Sequence, residues 1–240
     1  IQKGTTVAQN LLVQKYLFEL GIESTSNLIT HYPGSTPEDV EETRRVLERI
    51  SHLSPFTLTR FALAMGSPLF ETLSPEQRRA LVPRGAGRLP RSLAHYGLEF
   101  GYEVPAQLLS DDARHAWTGF HRWYRSWRGR HEGARRPVLT CRSLAAGQLR
   151  IEDSRFTSRA VSTVYDAEAA AVYAQCHAGK RVAELVSATG LSESRVRAHL
   201  EPMLERSHLY DAGGRLLALA TRRRDELLIN LTHAKPLAKA

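Results

Sequence analysis

The first ninety residues switch between a helical and a strand-like spacing of apolar positions. Residues 6–20 place Leu11, Leu12, Tyr16 and Leu20 at helical spacing, and Gly21 follows as a stop signal. Ser26-Asn27-Leu28-Ile29-Thr30 is a short, mostly apolar run that reads as a strand, followed by a His31-Tyr32-Pro33-Gly34 loop. Thr36, Pro37 and Asp39 then supply a hydroxyl cap, a proline at the first helical position and a carboxylate that reaches back to the cap. The helix they open carries Val40, Thr43, Leu47 and Ile50 on one face and Glu38, Glu41, Arg44 and Arg45 on the other. Residues 57–64 read as a second strand, with Phe61 and Leu63 on one side. This order predicts parallel strands joined by right-handed crossovers. Ligand-facing residues in such folds lie at the C-terminal ends of strands, here residues 30–35 and 64–67. The Pro33-Gly34 pair either lets a ligand approach the backbone closely or simply makes a tight turn.

The second half has a different texture. Over residues 111–136, Ala113, Trp117, Phe120, Tyr124 and Trp127 recur at alternating spacings of four and three, which places them on one helix face. Arg114, Arg122, Arg125 and Arg128 lie mostly off that face. The stripe reads as a core face with a solvated basic back, or as an aromatic platform for bases or a peptide. Residues 138–141 and 149–151 flank an Ala146-Gly147 turn as a hairpin, and residues 160–165 read as a third strand. Helical spacing then returns at 167–176, at 182–188 before Gly190, and in a third helix capped by Ser192, where Pro202 predicts a kink. A Gly213-Gly214 turn between Leu209-Tyr210 and Leu216-Leu217 completes a helix, helix, helix, hairpin order that resembles a winged helix. The fold class expected is α/β followed by α+β.

Composition narrows the function less than the pattern does. The chain has 240 residues and a formal net charge of +8, with arginines densest between Arg122 and Arg136 and again at Arg222 to Arg224. A basic surface concentrates anions without naming them, so phosphate, an acidic peptide or an acidic domain all satisfy it. Cys141 and Cys176 are too few and too far apart for a disulfide framework, which fits a reducing cytoplasm and ordinary packed thiols. No apolar run approaches the ~20 residues that cross a bilayer. The chain opens Ile1-Gln2-Lys3-Gly4, without Met, which predicts a fragment. Ten histidines carry no metal spacing, and no P-loop or Gly-x-Ser-x-Gly is present.

The run Lys3-Gly4-Thr5-Thr6, then Gly21-Ile22, then Asn27 through Asp39, and finally Gly66-Ser67-Pro68-Leu69-Phe70 resembles the later half of a radical SAM barrel. More narrowly, it is similar to the cobalamin-binding-domain radical SAM proteins that mature ribosomally made peptides, whose strand ends in a Gly-aromatic-Pro-Gly-Glu-Thr-x-Glu-Asp segment. The later Leu149-Arg150-Ile151-Glu152-Asp153-Ser154-Arg155 looks like the strand-plus-Asp-x-Arg element that follows the barrel in those proteins. His31 stands where the family usually has Gly, and Ser35 where it usually has Glu.

The resemblance implies four segments: residues 1–90 as the last part of a TIM-like barrel, 91–165 as a helical and β-hairpin extension, 166–222 as a winged-helix-like domain, and 223–240 as a tail. It implies S-adenosylmethionine and a [4Fe-4S] cluster as cofactors, with cobalamin as a further one. Asn27, Ile29, His31, Pro33, Gly34, Phe61 and Leu63 are expected around the cofactor, as contacts rather than proton donors or acceptors. The Cys-x-x-x-Cys-x-x-Cys ligands of the cluster are missing from this sequence, so the chain alone is not a self-sufficient radical enzyme. The expected partners are a precursor peptide and a missing N-terminal domain of the same protein. Two other readings stand beside this one. A winged-helix DNA-binding regulator would present Arg195, Arg197 and His199, although Glu193, Glu201 and Glu205 on the same helix oppose phosphate. A non-catalytic peptide-docking protein is the other.

Overall fold

Thr6 closes the first helix, α1 (Val7–Leu20), with a capping box: its hydroxyl accepts from Gln9 N at 3.2 Å, and the Gln9 amide oxygen accepts from Thr6 N at 2.8 Å. Gly21 ends the helix at φ 67°, the left-handed backbone that glycine adopts without cost. The computed structural model describes residues 4–82, 101–103, 108–134 and 136–222. The boundary expected at residue 90 and the tail at 223–240 lie outside the described residues.

The helix start read at Thr36 is built in the same way. In α2 (Pro37–Arg49), Asp39 N donates to Thr36 Oγ1 at 3.2 Å, and Thr36 N donates to Asp39 Oδ2 at 2.9 Å. Thr36→Ala should therefore cost about 1 kcal/mol, measurable as a shift in the denaturant midpoint. Strands β1 (Asn27–Thr30) and β2 (Thr57–Arg60) pair in parallel, with Asn27 opposite Thr57 and Thr30 opposite Arg60. The second strand is shorter than its apolar run predicts, because it stops at Arg60. Past that point Leu63 exchanges both backbone hydrogen bonds with Tyr102, at 3.0 and 2.9 Å, which takes it out of the β1 ladder. Two short helices, α3 (Pro68–Glu71) and α4 (Pro75–Arg79), follow on serine caps with proline at their starts.

Helix α5 (Asp111–Glu132) buries all five members of its stripe, from Ala113 and Trp127 at 0% exposure to Tyr124 at 5%. The stripe is a core face. The helix ends short of residue 136, with Gly133 and Pro137 in the chain that follows.

Three antiparallel strands come next, in the order β3 (Leu139–Ser143), β4 (Leu149–Asp153), β5 (Val161–Tyr165). Ala146 and Gly147 turn the first hairpin at φ 58° and 74°. Helices α6 (Ala167–Gln175), α7 (Val182–Thr189) and α8 (Glu193–Glu205) pack on one another through Val172, Tyr173, Leu185, Val196, Leu200 and Met203. α8 runs on through Pro202 to Glu205. The hairpin β6 (Leu209–Asp211) and β7 (Leu216–Ala218) is the last element among the described residues, and Lys180 joins it by exchanging backbone hydrogen bonds with Leu216.

The architecture is mixed α/β, with eight α-helices and three small sheets and no closed barrel among the described residues. It divides into two compact units. One comprises residues 1–24, 46–55 and 127–240, the other residues 25–45 and 56–126. No helix among the described residues is long and apolar enough to cross a membrane.

Candidate functional site

Within the second unit, the C-terminal end of β1 gathers the polar groups that the sequence points to. Thr30 is fully buried, and its hydroxyl meets two imidazoles: His31 Nδ1 at 3.1 Å and His121 Nε2 at 3.3 Å. A hydroxyl has one proton to give, so one ring accepts from Thr30 and the other donates to it. His31 has φ 56°, a left-handed conformation that is costly for a residue with a Cβ and that gathers at functional sites. Its ring stacks on Trp117 with centroids 5.8 Å apart and meets the His121 ring edge-on at 5.4 Å. Trp117 Nε1 donates to Ser35 Oγ at 3.1 Å, and Ser35 Oγ donates to Tyr32 O at 2.7 Å.

Both rings are neutral at physiological pH. Burial, followed by Arg60, His121 and Arg114, holds His31 down at about 4. Burial, then Arg125 and Arg60, lowers His121 as well. Two neutral imidazoles joined through one hydroxyl can orient a ligand or exchange a proton across that hydroxyl. Spacing does not single out His121, because its partners Thr30 and His31 lie about ninety residues earlier in the chain.

The other residues expected around a cofactor are placed as follows. Asn27 and Ile29 lie in β1, exposed and half-buried respectively. Pro33 is half-buried in the loop after it, and Gly34 at φ 78° has its N–H taken by Leu108 O at 3.1 Å. Phe61 N donates to Thr30 O at 2.8 Å, and its ring meets Tyr32 edge-on at 5.1 Å. Leu63 is fully buried on its bridge to Tyr102. His31, Tyr32 and Phe61 therefore present the ring surfaces at this strand end.

An iron–sulfur cluster does not fit the residues present. Cys141 and Cys176 are both buried in the first unit, and burial pushes the Cys176 thiol up to about 12, away from the thiolate form a cluster needs. Among the described residues no group of three or more His, Cys, Asp or Glu side chains is placed to hold a metal ion.

The first unit carries a separate feature, an open sheet edge. β3 is covered on its outer side, where Cys141 N donates to Thr221 O at 2.9 Å and Thr221 N donates to Leu139 O at 3.0 Å. β5, the opposite edge, has no strand partner beyond β4 among the described residues, and its Val161 and Val164 are 53% and 49% exposed. The residue after β5, Asp166, caps α6 by accepting from Ala169 N at 2.8 Å. It also opens a cleft of about 450 Å³ between α6 and α8. In that cleft Glu168 holds Arg195 at 2.6 Å and His199 at 3.3 Å. No family model, curated protein or solved structure matches the chain.

Proposed function

We propose that this chain is the C-terminal part of a radical SAM enzyme that modifies a ribosomally made precursor peptide, and that its first unit docks that peptide. On this reading residues 166–222 form a winged-helix-like module and β1–α2–β2 belong to the end of a barrel. The open edge of β5 supports the docking part of this reading. An exposed valine-bearing strand with unpaired backbone groups is a template for an added strand, and β-addition is a general mode of peptide recognition. Main-chain hydrogen bonds would supply affinity there, and the cleft at Asp166 would select a side chain. The left-handed backbone at His31, where the resembled family has glycine, supports the barrel assignment. Reductive cleavage of S-adenosylmethionine, and any use of cobalamin, belong to the upstream part of the parent protein. The chain's own contribution is to bind and orient.

Nucleic acid is the poorer partner for the same module. Arg195 is neutralised by Glu168 and Arg197 by Glu193 at 2.7 Å, which leaves α8 little positive charge for a phosphate backbone.

The probe for docking is a fluorescein-labelled twelve-residue peptide of alternating valine and glutamate. Proline is introduced in turn at Val161, Ser162, Thr163 and Val164. Successive N–H groups of an edge strand point alternately at β4 and at the open side, so proline at the open-side positions removes donors without breaking the ladder. Saturable binding should weaken by about tenfold at those positions while the thermal midpoint holds. A peptide that does not bind, or binds equally to every folded proline variant, would overturn the docking reading. A duplex DNA gel shift at low salt would favour the regulator instead.

A further inference from the structure

The first unit contains a second cleft, of about 670 Å³, between the β3–β4 hairpin and α6. One wall is the alanine face of α6, including Ala170, Ala171 and Ala174, whose short side chains leave the space unfilled. The polar lining includes His177, Arg222 and Arg142.

The state of His177 follows from its neighbour. Lys15 Nζ lies 2.7 Å from His177 Nδ1 and 2.7 Å from Ala218 O, and Lys15 is 2% exposed. An ammonium has only protons to give, so Nδ1 must accept from it. Burial, then Lys15 and Arg222, push the imidazole pKa well below its ordinary value, so the ring stays neutral. Its single proton therefore sits on Nε2, which has no hydrogen-bond partner among the described residues.

Arg222 is arranged similarly. Its Nε and one terminal nitrogen pair with Glu19 at 3.4 and 3.0 Å, and its second terminal nitrogen has no partner among the described residues.

We propose that this cleft binds a small organic carboxylate, with His177 Nε2–H and Arg222 holding the anion and the alanine face of α6 covering its apolar body. The lining includes cationic and neutral donors and no carboxylate, which suits an anionic ligand. The volume lies within the range of small-molecule sites, roughly 300–1,000 Å³. The inference does not rest on peptide docking at β5, which uses a different edge and a different cleft.

Hexanoate and hexanamide are the probes, matched in shape and differing in charge. Titrated into the full chain, hexanoate should shift the amide resonances of Ala170, Ala171 and Ala174, with at least about tenfold tighter binding than hexanamide. His177→Phe should weaken both but reduce that preference, because the carboxylate loses a charge-assisted hydrogen bond where the amide loses a neutral one. Ala171→Phe, at an exposed position on the wall, should fill the cleft and abolish binding of both without lowering the thermal midpoint. Equal affinity for acid and amide would overturn the proposal, as would hexanoate shifts that persist in Ala171→Phe.

Discussion

Arg155→Ala should destabilise the protein by about 3–5 kcal/mol, the range expected when one partner is taken from a buried ion pair. The Arg155 side chain is fully buried, and its partner Asp153 is nearly so. Asp153 Oδ1 accepts from Arg155 Nε at 3.0 Å and from its backbone N at 2.9 Å, and Oδ2 accepts from a terminal nitrogen at 2.7 Å. The same guanidinium donates to the carbonyls of Arg49 and Ser207, the latter at 2.9 Å, where Ser207 holds a left-handed φ of 54°. Truncation would thus strand a carboxylate and at least two carbonyls in a dry interior. The neighbouring His208 is held at about 4 by burial and by Arg155 itself, and its Nδ1 lies 2.8 Å from the Tyr165 hydroxyl. Lysine at position 155 should rescue only part of the loss, since a point charge cannot reproduce the planar fork. Urea unfolding of Arg155→Ala, Arg155→Lys and the parent checks this, and a loss below about 1 kcal/mol in the alanine variant would refute it.

How much of this was legible beforehand depended on the range of the interaction. The α5 stripe, the box at Thr36 and the Ala146-Gly147 turn are local. Their partners lie within a few residues, so spacing alone found them. The three-strand order after residue 138 and the three helices behind it were also readable from period and stop signals. α1 shows where that reasoning fails. Its apolar positions named a face through Leu11, Leu12, Tyr16 and Leu20, yet the buried residues are Ala8, Leu11, Lys15 and Glu19. Lys15 and Glu19 are buried because His177, Ala218 and Arg222 receive them, and those partners lie more than 150 residues away in sequence. No periodicity rule places a charge inside a core, because the compensating groups are set by tertiary structure. Arg155 stands out in the sequence only through an Asp-x-Arg resemblance, and nothing in its spacing reveals the carbonyls it serves. At β1 the strand end was legible as a place for chemistry, whereas the pairing of His31 with His121 through Thr30 was not.

Lys15 yields the second large effect, and its sign runs opposite to that of a surface lysine. Burial, opposed by Glu19, lowers its pKa from 10.5 to about 8, with Cys141, Cys176 and Arg222 as the other charges or thiols facing it. Between those two pH values the unfolded chain holds the proton that the folded chain has lost, so stability rises with pH across that window. Below about 8 the full cost of the buried ammonium is present, and above 10.5 it is gone. A shift of this size corresponds to roughly 3 kcal/mol. Other groups obscure it in the parent protein, because burial raises Tyr165 to about 12 and also raises Tyr173, which costs stability as pH climbs. The comparison with Lys15→Met removes them, since they titrate alike in both proteins. The stability of the parent minus that of Lys15→Met should increase by roughly 3 kcal/mol between pH 7 and pH 10.5, read from urea curves at each pH. A flat difference would mean that Lys15 is not buried as a charge. The same ammonium fixes the proton on His177 Nε2, so loss of its proton removes both a positive charge and the constraint on the ring. Hexanoate affinity in the cleft beside α6 should then fall as pH rises through 8, while hexanamide affinity stays level, because only the anion senses the charge that is lost.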